Sequence, residues 1–180
     1  MALFERTLHA PFDADRAALR RGRYGVIEVV DGRLAAIHLR WCPKIVSALE
    51  IEWLGRRRHD SVPGDRCRLF YNQPRRHSNY LALAYVVSHC DCTFATICRA
   101  AQTLDEVARV KQSDAILCDV WNLRISQRLL ARWGYQPHNP RRWHRHYIKR
   151  FYGTYPPPRA MDACRANSSD STPTPALCQR

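Results

Sequence analysis

Residues Tyr80 to Val120 constrain the topology of this chain more than any other stretch. Tyr80 to Val87 (YLALAYVV) contains no Gly, Pro or charge, the composition of a strand buried on both faces near the middle of a sheet. Thr93 to Gln112 then sets Phe94, Ile97, Cys98, Ala101, Leu104 and Ala108 on one helical stripe, with Thr93 or Asp91 available as a cap. Ala115 to Val120 (AILCDV) is again a short apolar run of strand length. Strand, helix and strand in succession make a crossover, which is right-handed and leaves its two strands parallel. A sheet with two parallel central strands is therefore expected.

The flanking sequence supplies the remaining elements. Asp13 to Gly22 (DADRAALRRG) has acidic residues at its start and arginines toward its end, as a helix dipole favours, and predicts a short amphipathic helix. Tyr24 to Val30 and Arg33 to Trp41 flank Asp31-Gly32, the strongest hairpin signal in the chain. Ile45 to Trp53 fits helix and strand in part, and a strand beginning near Ala48 is preferred. Gly55 to Asp65 and Gln73 to Asn79 are polar connectors, and between them Arg66 to Asn72 predicts a strand with Cys67, Leu69 and Tyr71 on one face.

After Val120, Asn122 can cap a helix whose Ile125, Leu129, Leu130 and Trp133 face inward while Arg124, Gln127, Arg128 and Arg132 face out. Gly134 ends that helix, Pro137, Asn139 and Pro140 form a turn, and Trp143 to Tyr152 predicts a last strand. From Gly153 onward the chain is rich in Pro, Ser, Thr and Ala without periodicity. The expected organisation is one domain over 1–152 and a disordered tail over 153–180.

A chain of 180 residues buries enough surface to fold without staples, and its eight cysteines are scattered, several inside apolar patterns. A reduced, cytoplasmic protein is expected. No window reaches ~18 consecutive apolar residues, so no spanning helix is expected, and charges interrupt the first residues where a secretory signal needs an apolar core. The net charge of +13 raises nucleic acid or another anion as a partner, although the arginines are spread along the chain instead of forming one stripe.

The succession of strand, Asn122, helix and Gly134-Tyr135, preceded by the crossover, resembles the C-terminal half of the GCN5-related N-acetyltransferase superfamily over Tyr80 to Tyr152. The resemblance implies an α/β (α+β) fold of the acyl-CoA N-acyltransferase type: a mixed sheet with flanking helices, whose central parallel strands splay into a cofactor slot. It implies acetyl-CoA as donor and a small-molecule or protein amine as acceptor. It places Asn122 near the pantetheine arm and Thr93 at the helix start that faces the phosphates. Two departures stand out. The turn from Ser88 to Thr93 has no glycine and carries Asp91, and Leu130 occupies the position where relatives carry an acidic Tyr hydroxyl.

No residue is assigned to catalysis. Glu28, Glu50, Glu52 and His38 are the possible bases, and Tyr135, Tyr147 and Tyr152 are phenols without a place. His89, Cys90, Cys92 and Cys98 lack the paired spacing of a zinc site, and no metal is expected. The alternative is a noncatalytic protein of the same fold binding an anionic partner such as nucleic acid. Arg141, Arg142, His144, Arg145, His146, Lys149 and Arg150, interleaved with Trp143, Tyr147, Phe151 and Tyr152, are its main support. A strand with a solvated basic face and a buried aromatic face explains the same pattern and is preferred.

Overall fold

A computed structural model describes residues 4–9, 15–43, 64–88, 91–120, 126–138 and 145–157. In chain order they form β1 (Phe4–Leu8), α1 (Arg16–Arg21), β2 (Tyr24–Val30), β3 (Arg33–Arg40), β4 (Arg66–Asn72), β5 (Tyr80–Ser88), α2 (Phe94–Lys111), β6 (Ala115–Asp119), α3 (Gln127–Arg132), β7 (Gln136–Pro137) and β8 (His146–Arg150). The strands make one mixed eight-stranded sheet in the order β1-β3-β2-β4-β5-β6-β8-β7. Only β5 and β6 run parallel; the other neighbours are antiparallel.

Local chemistry explains the elements that sequence reasoning anticipates. Asp31 and Gly32 adopt φ of 50° and 71°, the paired positive values of a two-residue hairpin turn whose twist matches its strands. Cys67, Leu69 and Tyr71 of β4 are all buried on one face, opposite Val29, Ile27 and Gly25 of β2. Gly134 has φ of 84° at the end of α3, and the Tyr135 N–H returns to the Leu130 carbonyl at 2.9 Å.

Other elements differ from expectation. β1 pairs with the outer side of β3, although its charged sequence gives no strand signal. Pro137 lies in a two-residue edge strand instead of a turn, a place where the missing N–H of proline is tolerated. The helix α3 begins at Gln127 and is capped by Ser126, whose Oγ accepts the Leu129 N–H at 3.2 Å. Asn122, expected as its cap, lies outside the described residues, as do the strand expected from Ala48, most of the Gly55 to Asp65 connector and the arginines Arg141 and Arg142. Within the stretch expected as a disordered tail, Tyr155 packs against the fold. Its hydroxyl donates to the Ser113 carbonyl at 3.0 Å and its ring meets Phe151 at 5.0 Å. Residues 158–180 lie outside the described residues.

The buried side of α2 is rotated from the apolar stripe. Phe94 is 45% exposed, whereas Thr96 and Thr103 are fully buried along with Ala100, Leu104, Val107 and Ala108, and Lys111 is buried as well. Each polar residue there has a partner, which removes most of the burial cost. Thr96 Oγ1 accepts the Gly32 N–H at 2.8 Å, and the Thr103 hydroxyl donates to the Arg99 carbonyl at 2.9 Å.

α2 and α3 meet through Phe94 and Trp133, whose rings stack at 6.2 Å. Nearby, Lys149 of β8 reaches Asp105 of α2 at 2.6 Å and lies over the rings of Tyr135 and Phe151 at 5.8 and 5.7 Å. Both partners of this ion pair are about one-seventh exposed, with side-chain accessibilities of 14% and 15%. Removing one charge strands the other in a low-dielectric site. Asp105→Asn is expected to cost about 1–2 kcal/mol by denaturant titration, and an unchanged midpoint would show that the pair is solvated.

Candidate functional site

The feature with a chemical use is the fork between β5 and β6. Their parallel register covers four positions, from Tyr80 opposite Ala115 to Leu83 opposite Cys118. Beyond that point β5 stays with β4, pairing Val87 with Arg68 and Ser88 with Cys67. β6 stays with β8, pairing Asp119 with His146, and the Val120 N–H reaches the Arg145 carbonyl at 3.0 Å. The two strands therefore separate because each follows its antiparallel neighbour. A bulge begins the separation: Tyr71 faces Leu83 while Phe70 faces Tyr85, so Ala84 is the extra residue. Bulges bend a strand and increase its local twist.

The consequence is an apolar strand that is not fully covered. Ala82, Leu83, Ala84, Tyr85 and Val86 are all only half-buried, although β5 is apolar and lies fifth among the sheet's eight strands. Beyond Leu83, β5 has no ladder partner on its β6 side among the described residues. An open α/β sheet binds ligands in such a crevice at the carboxyl ends of its parallel strands. Tyr85, whose ring lies 6.4 Å from that of Phe70, stands on this diverging segment. Sequence reasoning did not single it out, because a bulge is not legible in YLALAYVV.

The start of α2 lies at the same end of the sheet and is already occupied by a carboxylate of the protein. Asp65 Oδ1 accepts the Thr93 N–H and Asp65 Oδ2 accepts the Thr93 hydroxyl, both at 2.8 Å. Thr93 Oγ1 in turn caps the Thr96 N–H at 3.3 Å. The Asp65 carbonyl accepts the Asp31 N–H at 2.8 Å, so the hairpin turn, the start of β4 and the start of α2 are tied into one knot. Burial raises the Asp65 pKa, but hydrogen bonds from Thr96, Thr93 and Cys92 outweigh it and leave the group below its ordinary value. Asp65 is thus ionised at neutral pH.

Magnitudes decide what this does to a bound anion. A second unit negative charge within 4 Å of the carboxylate would be repelled by about 4 kcal/mol at an effective dielectric of 20. A helix N-terminus returns about 0.3–1 kcal/mol to an exposed anion. Thr93, placed by resemblance at the phosphates, is consequently a cap committed to Asp65, and the α2 start does not fit a diphosphate.

The possible bases fare differently. Glu28 and His38 are brought together: His38 Nε2 lies 3.2 Å from Glu28 Oε2, and His38 Nδ1 lies 3.0 Å from the Thr7 hydroxyl. Arg68 donates to Glu28 Oε1 at 2.9 Å, and Arg66 is 3.9 Å away. Burial raises the Glu28 pKa, and the Arg68 and His38 hydrogen bonds with the Arg68 and Arg66 charges bring it net below the usual value. Glu28 therefore accepts only, so His38 Nε2 donates to it. β2 is two strands from β5, about 10 Å, and β3 is three, about 14 Å. Proton abstraction needs hydrogen-bond reach or one bridging water. Glu28 and His38 are too distant to act at the fork and serve as an ion-pair hub on the sheet. Glu50 and Glu52 lie outside the described residues.

Tyr135, Cys118 and Cys67 are held neutral. Tyr135 is buried, and burial with the neighbouring Cys118 and Asp105 pushes its hydroxyl well above the usual range. Burial and Asp119 push the Cys118 thiol up to about 12. A hydrogen bond with Cys92, together with burial, pushes the Cys67 thiol up strongly, so it is no thiolate nucleophile. Tyr147 is buried opposite Cys118, while Tyr152 is 74% exposed in the turn after β8.

Two further features lie elsewhere. A cavity of about 530 Å3 opens between α1 and the far end of α2, lined by Arg16, Ala17, Arg20, Arg109, Val110 and Gln112. Arg20 and Arg109 stand in last helical turns, where the dipole favours a cation, so the charge has a structural reason. Among the described residues no three His, Cys, Asp or Glu side chains converge on a metal position, and no helix is long and apolar enough to cross a membrane. Comparison of the chain with protein-family models, with curated proteins and with solved structures finds no match.

Proposed function

We propose that this chain is a divergent protein of the GCN5-related N-acetyltransferase type, whose β5/β6 fork receives the pantetheine arm of an acyl thioester, in that superfamily acetyl-CoA, for transfer to an amine. The observation that carries the reading is the divergence of two parallel strands after Leu83 and Cys118, begun by the bulge at Ala84. Pantetheine is an extended chain with two amides, and an extended chain can add to a strand edge through main-chain hydrogen bonds. The half-buried apolar side chains from Ala82 to Val86 suit its methylenes. The strand sequence β4-β5-β6-β8-β7, with helices following β5 and β6, supports the same reading.

Asn122 remains assigned to the pantetheine arm by resemblance alone. No residue is given a catalytic step, since Glu28 and His38 are remote and Leu130 is buried where relatives have a phenol. The nucleic-acid reading draws less support, because Lys149 is committed to Asp105 and Arg150 Nη1 donates to Gln136 at 3.0 Å.

Calorimetric and thermal-shift titrations with acetyl-CoA and with S-acetyl-pantetheine test the reading. Saturable heat with at least one of them is the expected result. Absence of heat and of any shift with both at millimolar concentration would sink it.

A further inference from the structure

We infer that the fork takes its donor by the pantetheine arm alone, and that Asp65 excludes the nucleotide diphosphate, so the substrate class is a nucleotide-free pantetheine thioester. This rests on the fork reading above. An arm lying between β5 and β6 leaves the sheet at the strands' carboxyl ends, the end at which the chain passes from β5 into α2. In an anion-binding helix start the first-turn donors face open space. Here the Thr93 N–H and hydroxyl both end on Asp65 at 2.8 Å, and the Thr96 N–H ends on Thr93 Oγ1 at 3.3 Å.

The carboxylate is no loose side chain that a phosphate would push aside. Its own backbone carbonyl is bonded to the Asp31 N–H, and the Arg66 N–H returns to the Gly64 carbonyl at 2.9 Å, which holds the approach to β4 in place. No glycine occurs between Ser88 and Thr93 to let a backbone close around a diphosphate. The apolar fork and the anionic helix start therefore select opposite halves of a coenzyme A molecule. What fits both is a thioester on free pantetheine, which carries no phosphate.

The test compares pantetheine, 4′-phosphopantetheine and coenzyme A with the full chain by calorimetry. Pantetheine is expected to bind at least as tightly as coenzyme A. Asp65→Asn is expected to strengthen coenzyme A about 10-fold or more and to leave pantetheine within about 2-fold, the selective gain that a merely structural role would not produce. Should Asp65→Asn unfold the chain, the wild-type ranking still decides. Coenzyme A binding 10-fold tighter than pantetheine to the wild type would overturn this inference and leave the fork reading standing; binding of none of the three would overturn both.

Discussion

Gly25→Ala will destabilise the protein by about 3 kcal/mol, a cost set by a single neighbour. A Cβ built at Gly25 would meet the Tyr71 ring at Cζ and Oη, both 2.6 Å, and at Cε1, 2.7 Å. Real Cβ atoms do not approach so closely, so the ring or the strand must move. Tyr71 is fully buried in the main core cluster and faces Gly25 directly across the β2–β4 ladder, leaving the ring no free side. The glycine is thus required for space and not for a special backbone angle. Denaturant titration of Gly25→Ala, Tyr71→Leu and the double variant tests this. A coupling energy above about 1.5 kcal/mol is expected, because the smaller side chain relieves the clash. Additive effects would mean that the strand absorbs the methyl by another route. Tyr71→Phe alone is expected to be neutral or stabilising, since the Tyr71 hydroxyl is buried without a hydrogen-bond partner and burial raises its pKa.

Lys111→Met is expected to cost about 2–3 kcal/mol at pH 7, more than its lost packing explains. The ammonium donates to the carbonyls of Arg20 and Gly22 and to Gln73 Oε1, at 3.3, 2.5 and 3.2 Å. It thereby joins the C-terminal end of α1, the lead into β2 and the β4–β5 connection to the end of α2. Methionine fills the volume but leaves three acceptors unpaired. Burial, with help from the Arg23 charge, pushes the Lys111 pKa down to about 8 from 10.5. Between those two values the unfolded chain binds more protons than the folded one at this site, so its contribution to stability rises with pH. The deficit of Lys111→Met should therefore grow between pH 7 and pH 9.5, by on the order of 1–2 kcal/mol. A deficit that shrinks over that range would show that the folded protein keeps the lysine charged throughout.

The two substitutions also mark the limit of reading this chain from sequence. Lysine at the end of a helix reads as a solvated, dipole-compensating cation, and Gly25 reads as an ordinary interruption of an apolar strand. Neither reading contains the neighbours that matter, because Tyr71 is 46 positions from Gly25, and Arg20 is 91 from Lys111. The apolar stripe of α2 held at Cys98, Leu104 and Ala108, and it missed the inward polar positions for the same reason. Thr96, Thr103 and Lys111 turn inward because carbonyls and an N–H wait for them, and hydropathy does not record such partners.

What the sequence determined by itself is whatever closes over a few residues. Asp31-Gly32 sets a hairpin, Thr93 or Asp91 marks the start of α2, where the structure uses Thr93, Gly134 stops α3, and the succession from Tyr80 to Asp119 places two strands side by side and parallel. Short-range sterics and capping bonds suffice for these. Tertiary structure decided the rest: that β4 pairs with β2 and not with β3, that β1 joins the far edge, that β5 and β6 part after Leu83, and that Asp65 closes on Thr93 across 28 positions. These are choices of partner between distant segments. They follow from which buried faces and hydrogen-bonding groups meet in the folded chain, information that no local window carries.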